Sequence, residues 1–159
     1  MSFRLTEDMA LFFADIDKSK IKGTTFLDID KFYSCLMLGF KEGKFYNKAK
    51  LNDPFLAAGA RWPEPYREYD NYILGLLIEA EIRRLEVDRK DRQEIEKTAS
   101  RLLDSGRGNS LGLSEDGIKH MNYYAAQGFQ IMVNKMNKPR SVEDFLVSYA
   151  NLFWQNETE

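Results

Sequence analysis

The feature that most constrains how this chain folds is an unbroken apolar repeat between residues 29 and 40. Its members recur at helical spacing and are Ile29, Phe32, Tyr33, Leu36, Met37 and Phe40. Positions three, four and seven residues apart share one face of an α-helix, so this segment predicts a helix that buries one face. Thr25 is predicted to cap the start of this helix, and Gly43 is predicted to cap its end.

Similar repeats predict helices along most of the chain. The first opens at Thr6, and a later one begins at Tyr69. Ser114 is predicted to cap a long helix, and Ser141 starts a variant capping box before the last one. No segment shows the sustained alternation of a strand. The sequence therefore predicts an all-α fold, a compact single-domain bundle of five or six helices over residues 1–159.

The periodicity also predicts which side chains share the core. Residues 66–104 carry either one bent helix or two, with the break near Asp88. Six positions on these stripes are expected to be largely buried, namely Phe32, Leu36, Leu76, Phe129, Leu146 and Tyr149.

Two connections separate these helices. Residues 45–65 form a long proline-containing connection, with a helical turn expected around residues 54–59. Residues 61–65 are expected to be extended, because a residue that precedes proline avoids the helical region. Residues 104–113 form a glycine-rich loop, which lacks the glycine-lysine-serine/threonine ending of a phosphate-binding loop.

The composition is that of a globular protein, since 43% of the residues are hydrophobic and 30% are charged. No apolar run has the length of a membrane span, and the first residues lack the apolar core of a signal peptide. Cys35 is the single cysteine, so no internal disulfide can form. These features lead us to expect a cytoplasmic protein.

Few residues suit the common catalytic chemistries. The chain has one histidine, His120, and one cysteine, and neither lies in a recognisable motif. We expect His120 at the surface or its boundary and Cys35 in the core. The acidic pairs at residues 15 and 17 and at residues 28 and 30 point to opposite sides of a helix. We therefore predict no catalytic, cofactor-binding or metal-binding residues, and no cofactor.

The best candidate for contact with a partner protein is the segment at residues 61–65. Trp62 is followed by proline, and an aromatic side chain on a rigid segment loses little entropy when it docks. Arg61 and Glu64 flank it and complete the predicted partner-binding set. The alternative is that Trp62 packs the connection onto the core.

A second candidate surface is rich in lysine. Four lysines between residues 41 and 50 lie near two aromatic residues, and these lysines are Lys41, Lys44, Lys48 and Lys50. Cations combined with aromatic side chains are typical of proteins that bind the backbone of nucleic acids. The net charge of −2 limits any such contact to a local and weak one. The basic residues over 83–92 are interleaved with acidic residues from Glu81 to Glu94, and these mixed charges favour a solvated, salt-bridged helix face.

Three segments together resemble those of a known family. They are Leu38-Gly39-Phe40-Lys41-Glu42-Gly43-Lys44, Tyr124-Ala125-Ala126-Gln127-Gly128-Phe129 and Val142-Glu143-Asp144-Phe145-Leu146. In this order and spacing they are similar to a small bacterial family associated with DNA phosphorothioation (Dnd) systems. Those systems place sulfur on the DNA backbone, and companion proteins use the mark to restrict foreign DNA. The resemblance covers residues 25–154 and supplies no catalytic residues.

The resemblance implies a non-catalytic accessory or adaptor subunit of a bacterial DNA-modification-linked defence system. Its partners would be other proteins of that system, with weak DNA contact and no membrane. The residues by themselves leave two alternatives open. One is a small DNA-binding regulator that uses the lysines of residues 41–50, and the other is an enzyme with an atypical carboxylate metal site.

Overall fold

The computed structural model describes residues 2–19, 26–57, 59–104 and 111–155. Within these residues the chain is mostly helical and contains one two-stranded sheet. In chain order the elements are β1 (Ser2–Thr6), α1 (Glu7–Phe12), α2 (Ala14–Lys18), α3 (Asp28–Glu42), β2 (Leu51–Ala57), a 3₁₀ turn (Tyr66–Tyr69), α4 (Asp70–Arg84), α5 (Arg92–Leu102), α6 (Glu115–Lys135) and α7 (Val142–Gln155).

The two strands correct the prediction of an all-α fold. β1 and β2 are antiparallel, with Phe3 opposite Leu56 and Arg4 opposite Pro54. The helical turn expected at residues 54–59 is wrong, because residues 54–57 belong to β2. The pairing joins segments that are distant in sequence, and the periodicity of either segment alone does not report such a partner.

α6 covers the outer edge of β1 through one side chain. Asn122 Oδ1 accepts a hydrogen bond from the backbone N–H of Arg4 at 3.1 Å, and Asn122 Nδ2 donates to the carbonyl of Ser2 at 3.0 Å. Asn122 is buried, so both ends of its amide are satisfied within the protein. The contact shields a strand edge that would otherwise present unpaired backbone groups.

The first predicted helix is divided into α1 and α2 at Phe13. Around this break Phe12 packs edge-on against Phe129, with ring centroids 5.5 Å apart. Phe13 packs against Phe145 in the same geometry at 5.3 Å. Neighbouring aromatic residues thus contact two different helices, and this tertiary packing overrides a continuous local repeat.

α3 and α6 pack closely at two glycines. A Cβ atom at Gly39 would overlap the backbone carbonyl of Tyr124, and one at Gly128 would overlap that of Cys35. Only a residue without a side chain permits this separation of the two helices. Cys35 lies buried at the contact as expected, and burial raises the pKa of its thiol, which is therefore not poised to react.

The buried side chains form one cluster around α3 and α6. Phe32, Leu36 and Phe129 are buried as predicted, whereas Leu76 is 42% exposed and Leu146 is 53% exposed. These two predictions are wrong because both residues lie at the border of an apolar stripe. Whether such a position is covered depends on the placement of the neighbouring helix, which the stripe does not determine.

Residues 66–104 form two helices, which resolves the choice left open by the sequence. The second begins at Arg92 and not near Asp88. Asp91 caps it, since its Oδ1 accepts from the backbone N–H of Glu94 at 3.1 Å. Between the helices Glu86 has a φ of 54°, a left-handed conformation that a continuous helix excludes.

Several predicted helix ends are confirmed. Thr6 and Ser114 cap α1 and α6, each accepting a backbone N–H, at 3.1 and 3.0 Å. Gly43 ends α3 with a φ of 67°. The predicted cap at Thr25 lies outside the described residues, as do residues 105–110 of the glycine-rich loop.

Candidate protein-binding groove

Two helices flank the outer face of α3. On one side Arg83 of α4 donates to the carbonyl of Lys41 at 3.1 Å. On the other side the hydroxyl of Tyr149 in α7 donates to the carbonyl of Ser34 at 2.6 Å, and Lys41 Nζ donates to the carbonyl of Phe153 at 2.8 Å. α4 and α7 are thereby held along α3, with a groove between them.

The groove contains a cavity of about 290 Å³ at its end nearest the carboxyl terminus of α3. Its apolar lining comes from Met37, Phe40, Leu76 and Phe153, and its charged lining from Lys41, Glu79 and Arg83. An apolar floor with a charged rim is the usual composition of a surface that binds another protein.

One face of α4 continues the apolar surface beyond the cavity. Tyr69, Tyr72 and Leu76 are spaced by three and four residues and therefore share one face. All three are exposed, and Tyr72 is 73% exposed. The face of α4 that enters the core carries Ile73 and Leu77 instead. α4 thus has more large apolar side chains than its core contact covers, which is typical of an interaction surface.

Tyrosines gather at the opposite end of the groove. The rings of Tyr33 and Tyr66 lie 4.9 Å apart, and the hydroxyl of Tyr66 donates to Asp30. Burial raises the pKa of Tyr66, and the carboxylate of Asp30 raises it further. Burial and the neighbouring Tyr69 raise the pKa of Tyr33 as well. Both hydroxyls therefore stay protonated beside apolar ring surface, and that of Tyr66 is already bonded to Asp30.

The cavity end of the groove carries charges of both signs. Lys41 Nζ lies 5.0 Å from the ring centroid of Phe153, so its stem covers apolar surface while its charge stays at the rim. Arg83 lies 3.8 Å from Glu79, which also pairs with Arg89. The hydrogen bond from Arg89 lowers the pKa of Glu79, which stays ionised. Two cations, Lys41 and Arg83, and one carboxylate, Glu79, therefore line the cavity.

One feature of the sequence indicates this groove, namely the width of the apolar stripe on α4. The large apolar residues of α4 cover more than half of the helix circumference at 100° per residue. A helix that packs on one side needs a narrower stripe. The excess indicates a second contact, but the repeat alone does not say which side faces the core.

The predicted partner-binding segment at residues 61–65 has a different role. Trp62 is 2% exposed, and its Nε1 donates to the carbonyl of Leu111 at 3.2 Å. Its ring lies 5.4 Å from that of Phe3. Trp62 therefore packs the connection onto the core, as the alternative interpretation predicted, and is not an exposed anchor. Arg61 is exposed, and Glu64 is exposed and pairs with Arg67 at 3.1 Å.

The four candidate nucleic-acid lysines do not form one continuous patch. Lys41 lies on the groove against α7, and Lys50 pairs with Glu7 at 2.9 Å beside the sheet. Lys44 lies 3.8 Å from Glu42, and Lys48 is exposed. The connection from residue 43 to residue 50 separates these charges because it crosses from the end of α3 to β2.

One carboxylate from each of the acidic pairs at residues 15 and 17 and at residues 28 and 30 binds the same lysine. Asp17 of α2 and Asp28 of α3 both bind Lys31 Nζ, at 3.0 and 2.9 Å. Lys31 is buried, and burial by itself lowers its pKa, but its hydrogen bonds to both carboxylates raise it above the ordinary value. The carboxylates neutralise a buried ammonium group. Within the described residues, no cluster of side chains has a composition that would hold a metal ion.

The sequence did not predict that one carboxylate of α4 is buried. Glu81 lies in the run of charges that was assigned to a solvated face, yet it is fully buried. Arg84 binds both of its oxygens, at 2.8 and 2.9 Å, and Arg101 of α5 binds at 2.8 Å. The hydroxyl of Tyr124 in α6 donates at 2.7 Å. His120, at the surface boundary as expected, has its Nδ1 3.3 Å away and outside hydrogen-bond geometry.

The chemistry of Glu81 is that of a structural anchor. Burial alone would raise its pKa, but the nearby His120 and the hydrogen bonds from Arg84 and Tyr124 lower it below the ordinary value. Its lone pairs already accept several charge-assisted hydrogen bonds, so it has little capacity to act as a general base. Phe45 lies against this cluster, with the Arg84 guanidinium 4.2 Å from its ring centroid.

Comparison with known protein families, with curated proteins and with solved structures gives no significant match to this chain. Among the described helices, none combines the length and apolar character that crossing a bilayer requires.

Proposed function

We propose that this chain is a non-catalytic adaptor that binds another protein through the groove between α4 and α7. The observation that carries the proposal is the uncovered apolar face of α4 beside the cavity. Tyr72 and Leu76 together expose a large apolar area next to Met37 and Phe153. Water contact at such a surface is unfavourable, and a partner that covers it gains the corresponding free energy.

The shape of the site favours a macromolecule over a small ligand. Sites for small molecules enclose most of the ligand surface. Here the apolar area extends beyond the cavity, from Tyr69 at the end of the 3₁₀ turn to Leu76 on α4. Tyrosine, which is enriched among interface residues that dominate binding energy, supplies much of this area.

The resemblance to the phosphorothioation-associated family supplies the partner class for this proposal. The partner would be another protein of a DNA-modification-linked defence system, and the adaptor would act in the cytoplasm. The groove lies partly within residues 38–44, one of the three segments that carry the resemblance. The DNA-binding regulator is less favoured because its four lysines are dispersed.

Site-specific photocrosslinking tests the proposal directly. A photoreactive phenylalanine analogue replaces Tyr72 in the full chain, which is expressed in cells of the source organism. We expect a defined crosslinked protein, identified by mass spectrometry. The same analogue at Leu11, an exposed apolar position on α1, serves as the matched control and should not give that product.

A pair of charge substitutions completes the experiment. Leu76→Asp in the crosslinking chain should abolish the product, whereas Val133→Asp on α6 should retain it. Leu76 and Val133 are each 42% exposed, so the two changes perturb folding to a similar extent. Helix content measured by circular dichroism verifies that both variants fold. An undiminished product in the Leu76→Asp chain would exclude the groove as the binding site.

A further inference from the structure

The tyrosine end of the groove combines aromatic rings with a carboxylate. The rings of Tyr33 and Tyr66 lie 4.9 Å apart, and Tyr69 and Tyr72 continue the aromatic surface along the 3₁₀ turn and α4. Asp30 on α3 borders these rings, since it accepts a hydrogen bond from the hydroxyl of Tyr66. The face of an aromatic ring is partially negative and attracts cations, so the rings and the carboxylate favour the same kind of ligand.

The negative charge of Asp30 is not compensated by an ion pair among the described residues. Its two hydrogen bonds come from neutral donors, the Tyr66 hydroxyl and the backbone N–H of Leu27, which lies 2.7 Å from Oδ2. The neighbouring Lys31 binds two other carboxylates instead. A carboxylate has about four acceptor positions, so Asp30 can still accept hydrogen bonds from a ligand.

The other charges at this end do not cancel that of Asp30. The first turns of α3 and α4 carry partial positive charges from their helix dipoles, together equivalent to about one elementary charge. Glu68 in the 3₁₀ turn and Asp70 at the start of α4 add two carboxylates, neither of which has an ion pair within the described ranges. Arg67, the cation of this turn, pairs with Glu64 at 3.1 Å. The tyrosine end is therefore net negative.

An arginine side chain fits this combination best. Its guanidinium is planar, so it stacks on a ring while its N–H groups project sideways to a carboxylate at the edge of that ring. A lysine ammonium is compact and more strongly hydrated, so it loses more solvation at an aromatic surface. Leu76 lies about 10 Å from Tyr69 along the chain direction of α4, at the rise of a helix, and offers apolar contact to the neighbours of that arginine.

We propose that the tyrosine end of the groove binds an arginine side chain of the partner protein, with its guanidinium against the tyrosine rings and paired with Asp30. This inference rests on the proposed function, because it names the chemistry that one end of the same groove recognises. It goes further in assigning a charged side chain to the partner and the groups that recognise it.

Three labelled peptides of about 12 residues provide the probes, a length that reaches from Tyr69 to the cavity. They share one sequence of glycine, serine and leucine and differ at a single central position. That position is arginine, lysine or citrulline, and citrulline has the shape of arginine without its charge. Fluorescence anisotropy with the full chain measures the affinity of each peptide.

We expect the arginine peptide to bind roughly threefold to tenfold more tightly than the citrulline peptide at low ionic strength, with the lysine peptide between them. Asp30→Asn should remove most of the preference for arginine. Asp53→Asn, which changes an exposed carboxylate on β2, should leave it unchanged. Circular dichroism verifies that both variants fold.

A second pair of variants tests the rings independently of the helix start at Asp30. Tyr69→Leu keeps an apolar side chain without a π face and should reduce the preference for arginine. Tyr69→Phe keeps the ring and should retain it. A preference for arginine that survives both Asp30→Asn and Tyr69→Leu would place the guanidinium elsewhere and overturn the inference.

The remaining outcomes separate this inference from the proposed function. If the arginine peptide binds no more tightly than the citrulline or the lysine peptide, the inference is overturned and the groove remains a proposed binding site. The same holds if no peptide binds while the crosslink at residue 72 forms. Self-association that Leu76→Asp abolishes would make a second copy of this chain the occupant and would also overturn it. Absence of both peptide binding and the crosslink overturns both proposals.

Discussion

At the scale of single residues, Glu81 shows how a charged side chain can join three helices. Its carboxylate on α4 accepts from Arg101 on α5 and from Tyr124 on α6, besides Arg84 on its own helix. A buried carboxylate costs a large desolvation free energy that only full pairing offsets. The arrangement therefore makes the relative positions of α4, α5 and α6 depend on one ionised group.

Glu81→Gln should destabilise the protein by about 1 to 3 kcal/mol, because it replaces the ionised acceptor of Arg84, Arg101 and Tyr124 by a neutral amide, while the two arginines keep partial contact with solvent. Urea unfolding followed by circular dichroism measures the loss. Glu96→Gln, at an exposed position on α5, is the matched control and should change the free energy of unfolding by less than about 0.5 kcal/mol. Equal stability of both variants would show that the cluster contributes little.

The same residue predicts a pH dependence. The pKa of Glu81 is lower in the folded protein than its ordinary value of 4.5. A group with a depressed folded-state pKa contributes stability above its unfolded pKa, and this stability is lost as the pH falls toward the folded-state pKa. The free energy of unfolding should therefore fall as the pH drops below about 4.5, and it should fall less steeply in Glu81→Gln.

At the scale of elements, the chain combines helices with well-defined ends and one close helix contact. Ser141 Oγ accepts from the backbone N–H of Asp144 at 3.1 Å at the start of α7, as the capping pattern predicts. The second bond of a capping box would come from the backbone N–H of Ser141. Here the carboxylate of Asp144 instead accepts from the backbone N–H of Arg140. Such local interactions follow directly from neighbouring residues. The contact of α3 with α6 instead requires glycine on both helices.

A pair of glycine substitutions tests this difference. Gly128→Ala places a methyl group against the backbone of Cys35 and should destabilise the protein by about 1 to 3 kcal/mol or more, as overpacking does. Gly75→Ala lies on α4 with open space around the new methyl group, and it should stabilise the helix by about 0.5 to 1 kcal/mol. Thermal denaturation measures both. Equal effects of the two changes would contradict the close packing of α3 and α6.

At the scale of the whole molecule, the lysines are dispersed, whereas Tyr69, Tyr72 and Leu76 are exposed as neighbours along one side of the groove. The net charge is −2, and the lysines of residues 41–50 point to different neighbourhoods. The largest exposed apolar side chains include Tyr72 on the groove and Trp154 on α7. This distribution favours recognition of a protein surface over recognition of a polyanion.

Titration with duplex DNA should accordingly show little affinity at physiological salt. Neutralisation of four phosphates by Lys41, Lys44, Lys48 and Lys50 would give a log–log salt slope no steeper than about −4. Anisotropy of labelled DNA at several salt concentrations measures the slope. Tight binding that Lys44→Glu with Lys48→Glu abolishes would favour the DNA-binding regulator over the adaptor.

The sequence alone determined the features that depend on neighbouring residues. The helical stripe of α3, the caps at Thr6 and Ser114 and the stop at Gly43 follow from side chains a few positions apart. The burial of Phe32 and Phe129 follows in the same way, because each lies at the centre of its stripe. These interactions form within one element, so a local pattern suffices to predict them.

Only the tertiary structure decided the features that join distant segments. The pairing of β1 with β2, the burial of Trp62 against Leu111 and the network around Glu81 depend on residues far apart in the chain. The exposure of Leu76 has the same origin, since α7 packs along α3 without covering this side of α4. A side chain's spacing predicts which face of its helix it occupies, but the free energy of covering that face depends on where the other helices pack.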